Sequence, residues 1–170
     1  LEELGSSSVA DRYLAMHDML GGPFFVKWFK RLPVESFDDL SLRCEMLMQV
    51  TADNLAGHLG HGEVDGIPFV VSPFLEGCSF QSFSNSLQER RVSLEMDSLL
   101  YVLRSLAVAV ARLHEFKGPD GEPLLVHGEV TLEHVRIGRE GNIWLTGLAT
   151  PRGDRPGVTN KPLLDGAGVG

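Results

Sequence analysis

The chain has 170 residues, 43% of them hydrophobic, with a formal net charge of −8. That is enough apolar residue for one folded domain with a substantial core, and too much for a disordered chain. The acidic balance argues against a nucleic-acid duplex or an anionic membrane surface as partner, since neither would meet a broad basic face. The two cysteines, Cys44 and Cys78, sit in separate apolar stretches and form no Cys-x-x-Cys pair. They read as buried thiols of a reducing compartment, so the expected location is cytoplasmic. The first residues, Leu1-Glu2-Glu3-Leu4-Gly5, lack the basic and apolar pattern of a signal peptide. No apolar run has the length to span a bilayer, so no direct membrane insertion is expected. An opening on Leu, not Met, reads as a piece of something longer.

Residues 1–32 read as an antiparallel meander: a turn-rich opening and a short strand over residues 4–15, then Gly21-Gly22-Pro23 as a turn. The aromatic and β-branched run Phe24-Phe25-Val26-Lys27-Trp28-Phe29 follows as a strand. Ser36 is placed to cap a helix in which Leu40, Cys44, Leu47 and Met48 share one face. That pattern ends near Gly57-His58. Asp65-Gly66 is a hairpin turn between Gly62-Glu63-Val64 and Ile67-Pro68-Phe69-Val70-Val71, with Ser72-Pro73 expected to break the second strand.

Residues 79–92 suggest a short helix and a loop. Residues 93–116 carry the strongest helical pattern, with Leu99, Val102, Leu103, Leu106, Val110 and Leu113 on a wide stripe expected to be mostly buried. Gly118-Pro119-Asp120-Gly121 ends it. A two-strand ribbon is expected around the turn Gly138-Arg139-Glu140-Gly141-Asn142, with Ile143-Trp144-Leu145 as its second strand. The order of strands, helix, strands, long helix and ribbon is an α+β arrangement.

Several motifs in this order resemble the eukaryotic-like protein kinases, most closely the bacterial Ser/Thr type. They are the Gly5 loop, Val26-Lys27, the stretch 69–77, Leu113-His114-Glu115, His127-Gly128-Glu129 and the ribbon. The resemblance implies an antiparallel β-rich N-lobe with one helix and a hinge over 1–76. It implies a partial C-lobe over 77–150, with the long helix, a catalytic loop and a ribbon. Residues 151–170 then form a flexible tail resembling an activation segment.

The resemblance also assigns roles. Gly5 is the one glycine kept in the phosphate-covering loop, with Ser7 and Ala10 at the other two glycine positions and Arg12 where an adenine-packing Val is usual. Lys27 would hold phosphates and pair with Glu45 on the following helix. Ser72 falls at the gatekeeper position and Leu75 in the hinge, where its backbone could meet an adenine edge. Glu129 stands where the family has its Asp base, and its extra methylene moves the carboxylate by ~1.5 Å. Thr131 replaces the Lys that steadies the γ-phosphate, and His134 replaces a magnesium-binding Asn, a poor exchange for a cation that prefers oxygen. At the metal-binding Asp-Phe-Gly, either Thr146-Gly147-Leu148 takes its place, or Asp and Phe are deleted and Gly147 is the family's Gly. Both alignments remove the carboxylate, and the closest acid downstream is Asp154.

Phosphoryl transfer depends on positioning and charge stabilisation. The expectation is therefore a pseudokinase domain, a non-catalytic interaction or regulatory scaffold without Mg-ATP-dependent phosphotransfer. No cofactor is expected, ATP without metal being the one nucleotide ligand left open. The alternative is a divergent, weakly active Ser/Thr kinase using Glu129 as base with Lys27 and Glu45. Because the family's later C-lobe helices do not follow, helix 93–116 should be covered by a protein partner or by self-association. His58-x-x-His61, and His127-x-Glu129 with His134, also invite a metal site. The two clusters fall in different lobes and no cysteine is expected to join either, so turn and core histidines are the plainer account.

Overall fold

The computed structural model describes residues 1–19, 21–30, 37–117, 119 and 121–149. Ser36, Gly118, Asp120, Asp154 and the tail 151–170 lie outside these residues. Within them the chain is α+β, with an antiparallel sheet of five strands, a smaller three-stranded sheet and three helices.

Strands β1 (Glu2–Ser6), β2 (Ala10–His17) and β3 (Gly21–Phe29) form the expected meander. Strand structure begins earlier than expected, at Glu2. Gly21-Gly22-Pro23 belongs to the start of β3 and not to a turn; a register shift between Ala15 and His17 absorbs the irregularity, and the Gly22–Pro23 bond is cis. Helix α1 (Phe37–Met48) comes next, followed by the hairpin β4 (Gly60–Val64) and β5 (Ile67–Pro73). Asp65 and Gly66 turn that hairpin with φ of 52° and 75°, the left-handed pair that matches strand twist. β5 pairs through Ser72 and Pro73 with Phe25 and Phe24, so Pro73 ends the strand instead of breaking it earlier. The strand order is β1-β2-β3-β5-β4.

The second half starts with the short strand β6 (Cys78–Ser79). Ser79 then caps α2 (Phe80–Glu89), accepting from the Ser82 amide. Helix α3 (Met96–His114) leads through an irregular stretch to the ribbon β7 (Val135–Ile137) and β8 (Ile143–Leu145), and the smaller sheet runs β6-β7-β8.

Alternation along the strands puts Arg12, Lys27, Val70 and His61 in one cross-strand row, each paired with the next. Ala10 and Phe29 are paired on the same face, and with Val70 they bury against Leu40 and Cys44 of α1. The last turn of α1 serves a second core: Met46 and Leu47 pack with Leu55, Ala109 and Leu113 of α3, Leu125, and Leu145 of β8. Backbone bonds fasten the same place. The Leu145 amide donates to Asn54 and its carbonyl accepts from Ala56, while the Asn54 side chain donates to Ile143.

α3 is less buried than its pattern implies. Val102, Ser105, Ala109 and Leu113 form the inward stripe, whereas Leu99, Leu100, Tyr101, Leu103 and Val108 are exposed. The apolar residues surround more of the helix than the ribbon and α1 can cover.

Leu145 is fully buried at the joint between the two halves. Leu145→Ala is expected to cost about 2–5 kcal/mol, the usual range for emptying a core leucine site. Urea unfolding should show it as a lower midpoint with an unchanged slope; a loss under about 1 kcal/mol would contradict the joint's role.

Candidate functional site: the sheet, the loop 127–134 and the ribbon end

The turn joining β1 to β2 is closed on itself. The Ser7 hydroxyl accepts from the Val9 and Ala10 amides and donates to the Ala10 carbonyl, which also takes the Ser7 amide. Three amides of this loop are thus bonded within the protein. Lys30 adds an outer tether, its amide donating to the Val9 carbonyl and its ammonium bonding Ser6 and, at 2.9 Å, Asp11. These contacts hold the Asp11 carboxyl below its ordinary value, the Lys30 hydrogen bond most strongly. Gly5 has a φ of 152° and marks a register shift in β1, with open space where a side chain would sit.

Lys27 lies partly buried under α1, with its ammonium 5.2 Å from the Phe29 ring centroid. Burial lowers its pKa from 10.5 to about 8, and the charges of Arg12, directly opposite in register, and of Arg43 push the same way; Glu129 pulls weakly upward. The helix phase explains the difference from the expected Lys27–Glu45 pair. Arg43 is buried on the inner face of α1, while Glu45 is exposed, two residues and about 200° further round. The carboxylate that raises the Lys27 pKa is that of Glu129, in the loop before the ribbon.

The loop 127–134 and the ribbon end are bonded to each other. His127 Nε2 donates to the Thr146 carbonyl at 2.7 Å, and His127 Nδ1 accepts from the Glu129 amide. His134 Nδ1 donates to the Glu129 carbonyl at 2.7 Å. The His134 carbonyl in turn accepts both the amide and the hydroxyl of Thr146. Carbonyl partners fix the proton on Nε2 of one ring and Nδ1 of the other. Gly147, with a φ of 84°, lets the His134 ring lie against the backbone; a Cβ there would come within 2.8 Å of the ring. Thr131 is exposed, with its hydroxyl 3.4 Å from His134 Nδ1, and Leu148 packs at the margin of the core shared by α1 and α3.

Ser72 lies on β5 opposite Phe25. The carbonyl of Leu75 accepts from Arg136 Nε, and Gly77 from Arg136 Nη2 at 2.8 Å. Arg136 also lies near the Phe74 ring. One carbonyl expected to meet a ligand edge, that of Leu75, is therefore already bonded to a side chain from β7.

A different group comes together at the other end of the cross-strand row. A ring nitrogen of His58, one of His61 and the Cys44 sulfur all lie within 4.8 Å of one another. Spacing along the sequence had set Cys44 apart from this pair, and packing of α1 beside β4 overturns that. His58 is held near pKa 4, chiefly by burial and then by His61 and Arg43.

No known protein-family model matches the chain, and no curated protein matches it.

Two measurements probe this site. Lys27 is protonated in both folded and unfolded chains below pH 8. From pH 8 to 10.5 the unfolded chain holds the proton that the folded chain has released, so this group's contribution makes stability rise with pH. Lys27→Met should abolish that rise in urea titrations at pH 7, 9 and 10.5, and an unchanged pH slope would refute the assignment. Gly147→Ala should destabilise by about 1–3 kcal/mol through backbone strain and the His134 contact, seen as a lower melting temperature.

Proposed function

We propose that this chain is a kinase-like pseudoenzyme domain, a non-catalytic interaction or regulatory module that performs no Mg-ATP-dependent phosphotransfer. The observation that carries the reading is the Thr146–His134 pairing. His134 stands where the resemblance expects a magnesium-binding Asn, and Thr146, in one of the two alignments, where it expects the magnesium-binding Asp. Here the Thr146 hydroxyl and His134 Nδ1 are bonded to the loop backbone instead.

The order of elements supports the frame: a five-stranded antiparallel sheet with one helix between β3 and β4, then a long helix and a ribbon. The self-bonded Ser7 turn and the Leu75 carbonyl clamp support the loss of nucleotide contacts. Phosphoryl transfer needs donors and metal aimed at developing charge, and groups already paired internally supply little of that stabilisation.

As a scaffold, the domain would use its surface. The outward residues Leu100, Tyr101, Leu103 and Val108 of α3 form an apolar band. Under this reading a protein partner or a second copy covers them. Among the described residues no helix is long and apolar enough to cross a membrane.

A second reading has one observation in its favour. Glu129 is exposed and its charge reaches Lys27, so a weak phosphotransferase using Glu129 as base keeps two of its groups in mutual range.

Thermal-shift titrations separate the two. With ATP and magnesium together the melting temperature should not move beyond the shift given by either alone. A shift needing both, accompanied by phosphate transfer that Glu129→Gln removes, would overturn the pseudoenzyme reading in favour of the second.

A further inference from the structure

We propose that Cys44, His58 and His61 form a zinc site, with three protein ligands and a fourth position for water. The cluster is separate from the loop and ribbon residues, and the inference does not depend on the kinase-like reading.

Cys44 is fully buried on the inner face of α1, and His61 sits on β4 in the row that α1 covers. His58 lies in the loop just before β4, and its ring is 6.0 Å from that of His61, roughly parallel to it. Two ring nitrogens, His58 Nε2 and His61 Nδ1, are buried with no hydrogen-bond partner. Buried polar atoms are paired in the great majority of cases, so orphan nitrogens on two rings that each bring a nitrogen within 4.8 Å of the Cys44 sulfur require an explanation. A cation accepting their lone pairs supplies one.

The protonation pattern suits that role. His61 Nε2 lies 2.7 Å from Ser41 Oγ. With the proton on Nε2 donated to Ser41, Nδ1 presents a lone pair, and Ser41 fixes both tautomer and ring orientation as outer partners of metal-bound histidines do.

One thiolate with two imidazoles is a donor set for zinc, not for magnesium or calcium. Tetrahedral zinc, with bonds of about 2.0–2.3 Å, holds its ligand atoms roughly 3.3–3.8 Å apart. The present limit of 4.8 Å asks the side chains to close by about 1 Å. Binding converts the Cys44 thiol to thiolate, and that proton leaves to solvent. The thiolate also offsets the Arg43 guanidinium, whose charge already acts on His58.

The test uses the whole chain, stripped with a chelator, kept reduced, and titrated with zinc against a chromophoric competitor. The expected result is one zinc per chain with micromolar or tighter affinity. Cobalt in its place should give a thiolate charge-transfer band in the near ultraviolet. Cys44→Ser should remove the band and weaken zinc at least tenfold; His58→Gln should weaken zinc similarly, and Ser41→Ala about 10–100-fold. Circular dichroism melts of the stripped variants check folding. Should Cys44→Ser fail to fold, His58→Gln, altered in a loop, decides the question. Failure to bind zinc stoichiometrically, or a folded His58→Gln variant that binds as tightly as the parent, overturns the proposal.

Discussion

The burial of Leu145 against the last turn of α1 is the contact on which both halves depend. α1 has a short inner face and must serve two cores with it. Leu40 and Cys44 close the five-stranded sheet, while Met46 and Leu47, one turn later, close the space above α3. Leu145 brings the ribbon to the same helix end, and its amide and carbonyl bond the segment around Leu55. A buried backbone group without such a partner would cost on the order of 1–3 kcal/mol, so the register of the ribbon is set by this segment as much as by the β7–β8 pairing. Once β8 is fixed, Thr146 and Gly147 have only one place to go, beneath the histidines of the preceding loop.

That placement decides the chemistry of the site. The Thr146 hydroxyl could face a ligand only by leaving the His134 carbonyl, and His134 Nδ1 only by leaving the Glu129 carbonyl. On the sheet side the cost is electrostatic. Arg12 and Lys27 are opposed in register, with Arg43 above them, and burial strips away much of the water that would screen them. Lys27 answers by giving up its proton more readily, which is the ordinary response of a buried amine among like charges.

Much of the fold was legible because its signals are local. Asp65-Gly66 demands a tight hairpin, and the apolar alternation around it sets the strands. Pro73 departs from the expectation because proline is tolerated where a strand stops. The burial of α3 departs from it for a related reason: hydrophobic periodicity says which face is apolar, not how much neighbouring structure exists to cover it. The candidate site was less legible still. Whether Arg43 or Glu45 faces the sheet depends on helix phase, which is set by Leu40, Cys44 and Leu47 entering the core together. The joining of Cys44 to His58 and His61 depends on strand order, since β4 reaches the helix only because β5 inserts between it and β3. Neither fact can be read from spacing along the chain.

The loop and ribbon differ from the corner between α1 and β4 in a way that bears on function. A binding site needs polar groups held in place but left unsatisfied until the ligand arrives, and such groups lower the stability of the empty protein. At the loop and ribbon, His127 Nε2 and Nδ1, His134 Nδ1 and the Thr146 hydroxyl are bonded to backbone, which tightens the frame and leaves little for a ligand to complete. At the corner the reverse holds: His58 Nε2 and His61 Nδ1 are buried and unpaired beside a sulfur. Self-satisfied polar groups mark the part of the molecule that supports its shape. Unsatisfied ones mark the part where binding would return free energy, and by that criterion the α1–β4 corner is better prepared for a ligand than the site that the sequence motifs single out.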